Sequence, residues 1–140
     1  MSAAQEAARS GATFAAIPFV ALLGLHREQA GDGRALVRAD DDPAHHDDTG
    51  TLGPAVLLAM VDTAMASAAI ASVDFSHSAA TLDLDARFIV RRPGPLWARA
   101  RVVAGDGRLR ICEADVHDAA GTLVARAQGS FRLLPHAPES

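Results

Sequence analysis

Between Pro54 and Val73 almost every residue is apolar or small, and a single acid, Asp62, interrupts the run. Pro54 suits the first turn of a helix, where a missing N–H removes nothing from the hydrogen-bond ladder. A helix that is apolar on all sides is buried either in a protein core or in a membrane. A span needs about 20 apolar residues, so the length nearly qualifies. Yet Asp62 sits near the middle, small residues dominate, and the flanking segments are patterned as strands. The stretch reads as a core helix and not as a membrane span.

The segments around it supply something to wrap it. Leu25 to Ala30 and Arg34 to Asp40 read as two strands joined across Gly31-Asp32-Gly33, a hairpin turn. From Leu82, the residues Leu82, Leu84, Ala86, Phe88 and Val90 alternate with Asp83, Asp85, Arg87 and Arg91, Ile89 being the exception. Leu96 to Val102 alternates in the same way, and Gly105-Asp106-Gly107 turns the chain into a strand from Arg108 to His117. There the apolar parity shifts between Ile111 and Cys112, and a bulge is expected. After the turn at Asp118 to Gly121, Leu123, Ala125, Ala127, Gly129 and Phe131 alternate with polar residues. These strands read as a meander with one apolar and one charged face. Such a sheet needs a cover, and only the Pro54–Val73 helix is large and apolar enough. A short helix is expected over Thr13 to Leu23, stopped by Gly24. Residues 1–12 read as a loose tail or the lead-in to a helix, 13–134 as the domain, and 135–140 as a second tail.

Composition narrows the function classes. A chain of 140 residues fits one domain. With 49% hydrophobic residues but only 4% aromatic ones, its core must be aliphatic and rich in alanine. A net charge of -4 leaves no electrostatic footprint for nucleic acid. Cys112 is the only cysteine, which excludes an intrachain disulfide and fits a reducing cytoplasm. The first dozen residues carry Glu6 and Arg9 and have no apolar signal core.

Three segments, taken in order, carry a family resemblance: Thr49 to Met65, with Gly53-Pro54-Ala55 ahead of Asp62; Phe88 to Pro93, with Arg91 and Arg92; and Gly121 to Phe131. Over roughly Ile17 to Leu134 the chain resembles the hotdog-fold acyl-CoA thioesterases of the phenylacetyl-CoA and 4-hydroxybenzoyl-CoA type. The resemblance implies an α+β hotdog fold, a long central helix wrapped by a five- to six-stranded antiparallel sheet. It implies that Asp62 acts as general base or nucleophile on the thioester. Backbone N–H groups at the helix N-terminus would polarise the carbonyl, at a site shared across a homodimer or homotetramer. Asp47 falls where the family often has a loop Asn, and Thr81 where it has a Ser or Thr near the acid. Pro54 falls at the usual oxyanion donor and has no N–H, which leaves Ala55 as the nearest donor. Acyl-CoA is then the substrate, coenzyme A being part of it, with no separate cofactor and no metal.

The residues themselves allow bland readings beside these. A carboxylate in an apolar helix is costly unless paired or used, and burial would strengthen it as a base. Asp62 could instead be a core acid bonded to a neighbouring helix or to Thr81. It lies about 12 Å along the axis from Pro54, too far for the acid and its own helix N-terminus to flank one carbonyl. Thr81 and Thr63 could be plain packing residues. Asp47 with His45 and His46 is a contiguous loop cluster without zinc-motif spacing, and reads as solvated. Arg91 and Arg92 could grip the phosphates of coenzyme A or form a solvated strand end. Cys112 reads as inert core. A non-catalytic hotdog binding acyl-CoA or a small hydrophobic ligand is the rival reading. A dehydratase would need a catalytic His, for which His77, expected on the loop after the helix, is the nearest candidate.

Overall fold

A computed structural model describes residues 1–136 of the chain. Helices α1 (Ala3–Ala16) and α2 (Pro18–Leu22) precede strands β1 (Leu25–Gly31) and β2 (Arg34–Ala39). A short 3-10 turn (Pro43–His45) leads to α3 (Pro54–Ala71), followed by β3 (His77–Phe88), β4 (Leu96–Asp106), β5 (Leu109–His117) and β6 (Leu123–Pro135). The six strands form one sheet in the order β1-β2-β4-β5-β6-β3, antiparallel throughout. Met60, Ala64, Met65 and Ala68 of α3 are fully buried, and pack with Val37, Ala98, Cys112, Val116 and Phe131 from the sheet. This is the expected hotdog arrangement. Among the described residues α3 is the one helix long and apolar enough to cross a membrane, and here the sheet buries its inner side.

Local chemistry fixes these elements. Asp32 and Gly33 both take positive φ, 51° and 70°, the left-handed pair a two-residue hairpin demands. Gly129 lets α3 approach the sheet, because a Cβ there would lie 3.2 Å from Met65 Cε and 3.1 Å from the Asp83 carbonyl oxygen. At the end of α3 the Ser72 hydroxyl donates to the Ala69 carbonyl at 2.6 Å.

The structure corrects several sequence expectations. Of the two readings of residues 1–12, the lead-in to a helix holds and the loose tail does not: α1 begins at Ala3 behind a reciprocal capping box of Ser2 and Gln5. The single helix expected over Thr13 to Leu23 is broken at Ile17, since the ring of Pro18 disfavours helical geometry in the residue before it. Arg27 fastens α1 to the body, donating to Ser10 Oγ at 3.1 Å and lying 5.3 Å from the Phe14 ring centre and 5.6 Å from that of Phe75. β4, β5 and β6 run as the expected meander, whereas β3 crosses to the far side and pairs with β6. The bulge expected between Ile111 and Cys112 lies on the opposing strand at Val103, while Cys112, Ala114 and Val116 keep strict inward alternation. A further bulge at Leu82 was masked by the regular alternation of the sequence around it. His77 opens β3 instead of lying in a loop. Of the expected C-terminal tail, Pro135 closes β6, and residues 137–140 lie outside the described residues.

Candidate active site

The sheet covers one side of α3 and leaves the other open. Ala55, Leu58, Ala59, Asp62, Thr63, Ala66 and Ile70 recur at helical spacing, and all are exposed or half-buried. Leu58 keeps 37% of its surface accessible, whereas Leu57 beside it keeps 2%. Asp62 lies in the middle of this stripe. It is half-buried, which corrects the expectation of an acid sunk in the core. The larger concavities of the single chain lie elsewhere, on the outer face of the sheet.

One Asp62 oxygen is fixed. Thr81 Oγ donates to Asp62 Oδ1 at 2.7 Å. The other oxygen has no hydrogen-bond partner among the described residues. The bulge makes this contact. Thr81 pairs with Phe131 and Asp83 with Ser130, so Leu82 is the extra residue and is pushed outward, 53% exposed. Strict alternation would put Thr81 on the face of Asp83 and Asp85; the extra residue reverses the parity and turns its hydroxyl to α3. The Asp83 side chain then accepts from Ser130 N–H at 3.0 Å. Thr63, by contrast, donates back to the Met60 carbonyl of its own helix at 3.0 Å, a packing role.

At the head of α3, Val56 and Leu57 both donate to the Gly53 carbonyl, at 3.1 and 3.2 Å. Pro54 has no N–H. The Ala55 N–H is therefore the unspent donor of the first turn, without an acceptor among the described residues. It lies on the same side of α3 as Asp62, seven residues away, about 10 Å along the axis.

Asp47 and Arg91 meet and form an ion pair. Arg91 donates to Asp47 Oδ2 at 2.8 Å and to the Leu52 carbonyl at 3.3 Å. Asp47 also accepts from the Thr49 hydroxyl and from Thr49 N–H. These bonds, led by the Thr49 hydroxyl, hold the Asp47 carboxyl below the usual range. The result is a clasp: Arg91, just beyond β3, ties down the small loop that delivers the chain into α3. Arg92 turns away, 3.9 Å from Asp118. The His45–His46–Asp47 run is drawn apart, with His46 Nε2 2.6 Å from Asp41 and His45 Nδ1 turned inward without a partner among the described residues. His77 lies four residues along β3 from Thr81, about 13 Å, and contacts Ser76 Oγ at 2.8 Å. Cys112 is fully buried, and burial pushes its thiol up to about 12, an inert group. The clasp was not read from the sequence, since nothing in the spacing of residues 47 and 91 announces it.

No protein-family model and no curated protein matches the chain. Solved structures do. A conserved protein from Pseudomonas aeruginosa is 29% identical, with a TM-score of 0.80, the alignment covering 84% of this chain and 94% of that one. A variant of the phenylacetic acid degradation protein PaaI from Thermus thermophilus is 26% identical, with a TM-score of 0.74, covering 84% and 98%. A thioesterase family protein from Silicibacter pomeroyi shares 22% identity at a TM-score of 0.85, covering 96% and 100%. The chain thus has the hotdog fold of the thioesterase-family proteins among these neighbours, as the resemblance in its sequence implied.

Proposed function

We propose that this chain hydrolyses an acyl-CoA thioester, medium-chain or aryl, with Asp62 as the reacting acid and a second copy of the chain closing the site. The observation that carries this reading is the state of Asp62. It is a carboxylate with one oxygen steadied by Thr81 and the other free, set in an apolar stripe that the chain's own sheet leaves open. In the reaction the free oxygen takes a proton from water, the water oxygen bonds to the carbonyl carbon, and the C–S bond breaks as that proton passes to the sulfur, leaving the acid and the thiol of coenzyme A. Direct attack by the carboxylate, followed by hydrolysis of the anhydride, is the covalent variant.

The developing oxyanion needs a donor, and the free Ala55 N–H at a helix N-terminus is suited to it. The separation of Ala55 from Asp62 along one helix requires the two groups at a given carbonyl to come from different chains. The edge position of β3 supports such pairing. Its outer side is unpaired among the described residues, and Leu82, Phe88 and Ile89 on or beside it are 53%, 43% and 56% exposed. An edge of this kind is a liability unless something covers it. A homodimer, or a homotetramer built from it, would exclude water from the α3 stripe. Within this reading Thr81 positions the acid, Asp47 and Arg91 hold the loop ahead of α3, and Arg92 would exchange its loose contact with Asp118 for the phosphates of coenzyme A. The proposed setting is the cytoplasm.

A rival reading draws support from Pro54. With one donor removed and two others turned to Gly53, a single N–H remains for the oxyanion. Such a site could bind acyl-CoA without cleaving it. A panel of acyl-CoA esters assayed by release of free thiol separates the two. Turnover by the native chain and its loss in Asp62→Asn support hydrolysis. Saturable binding without thiol release supports the binder, and undiminished turnover in Asp62→Asn overturns the role given to the acid.

A further inference from the structure

A second concentration of chemistry lies on the outer face of the sheet, away from α3. Arg34 on β2 stands directly opposite Arg101 on β4, and Arg99 follows two residues along the same face. Like charges facing each other across a sheet are destabilising. Glu113, 2.7 Å away, compensates Arg101. Arg34 and Arg99 have no ion-pair partner among the described residues. The three guanidinium groups, with Gln29 and Asp32, line a concavity of about 420 Å³. Arg99 and Leu36 are shared with an adjoining concavity of about 560 Å³, walled by Trp97, His117 and Asp118. The Trp97 indole is held in place by its Nε1–H, which donates to Glu28 Oε1 at 3.3 Å. Asp118 turns its carboxylate to the N–H groups of Ala120 and Thr122.

We propose that this face binds a nucleoside phosphate, its phosphates on Arg34, Arg99 and Arg101 and its base against Trp97 and His117. Guanidinium forks match phosphate oxygens in pairs. An anion there offsets the charges of Arg34 and Arg99, for which the described residues supply no ion-pair partner. An aromatic ring gives a base its stacking surface. Both concavities fall within the size range of small-molecule sites. The site is separated from Asp62 by the sheet and does not depend on the thioesterase reading. A free nucleotide and the nucleotide end of coenzyme A share this chemistry.

The molecule carries its own reporter, since Trp97 is the only tryptophan and there is no tyrosine. Titration of the full chain with ADP is expected to quench Trp97 emission saturably, with adenosine and inorganic diphosphate each binding more weakly. The double variant Arg34→Gln/Arg99→Gln, at two exposed positions, is expected to weaken ADP binding by about tenfold or more while keeping the wild-type melting midpoint. Asp62→Asn is expected to bind ADP unchanged, so that failure here and failure of the thioesterase reading are told apart. Coenzyme A competing more tightly than ADP identifies the thioester's own nucleotide as the source, and a weaker or equal grip identifies free nucleotide. Absence of a saturable quench, together with no ADP retained in equilibrium dialysis at millimolar concentration, overturns the proposal. So does a double variant that binds ADP as the native chain does.

Discussion

The two sides of α3 are made of nearly the same residues and do opposite work. On the inner side Leu57, Met60, Val61, Ala64, Met65 and Ala68 are at most 2% exposed and fill the sheet. On the outer side Ala55, Leu58, Ala59, Thr63, Ala66 and Ile70 are equally apolar or small, yet among the described residues they stay exposed or only half-buried. Asp62 sits on that second side alone. The difference teaches that hydrophobicity in this helix serves two purposes, one met within the chain and one that awaits a cover. On the proposed reading the open side is the interface between copies, and the acid at its centre is the reacting group.

Asp62→Asn is the most severe way to break the comparison. If the outer side is the catalytic one, thiol release falls by about 10²- to 10⁴-fold, while the chemical-denaturation midpoint stays near that of the native chain. A smaller contrast sets the two sides against each other directly. Met65→Ala on the inner side is expected to lower unfolding stability by about 2–5 kcal/mol through lost burial and the cavity left behind. Leu58→Ala on the outer side is expected to cost under about 1 kcal/mol in the same titration, but to weaken self-association in sedimentation. Equal losses of stability would erase the distinction.

Thr81→Val sharpens the picture at the acid itself. Losing the 2.7 Å bond is expected to lower kcat about ten- to a hundredfold, in keeping with one hydrogen bond to a charged group. KM should hardly move, and Thr81→Ser should restore the rate. The smallest effect belongs to the clasp. Its Asp47 carboxyl is held low by Thr49 and then by Arg91. The stability it adds is present above the ordinary carboxylate range and is lost as pH falls through the depressed value. Urea titrations should therefore show the native chain more stable than Asp47→Asn at neutral pH, the gap closing in strong acid. A gap independent of pH would contradict that origin.

The sequence carried the fold because its strongest patterns agree. Alternation in the strands and a helix apolar on all sides leave few ways to bury both. The same uniformity hid which side of α3 the sheet would take. Asp62 was legible as the odd residue in an apolar run, and Thr81 as its partner only through the resemblance. The bulge at Leu82 that turns Thr81 inward was hidden, because Leu82, Leu84 and Ala86 alternate as though no residue were extra. The pairing of Arg91 with Asp47 joins residues far apart in the chain, and no local pattern encodes it. Asp47 thus reads as a residue that holds the loop, a role the sequence position alone did not suggest.

Mixing two disabled variants probes most directly the claim that acid and donor meet across two chains. Asp62→Asn removes the acid. Ala55→Pro removes the N–H at a first-turn position where helices tolerate proline. Each homodimer alone should be inactive. After dissociation and random reassembly, hybrid dimers contain one site with both groups intact, and activity should return to about one quarter of the native value. A mixture that stays as inactive as its parents, although hybrids are present, would contradict a site shared between copies.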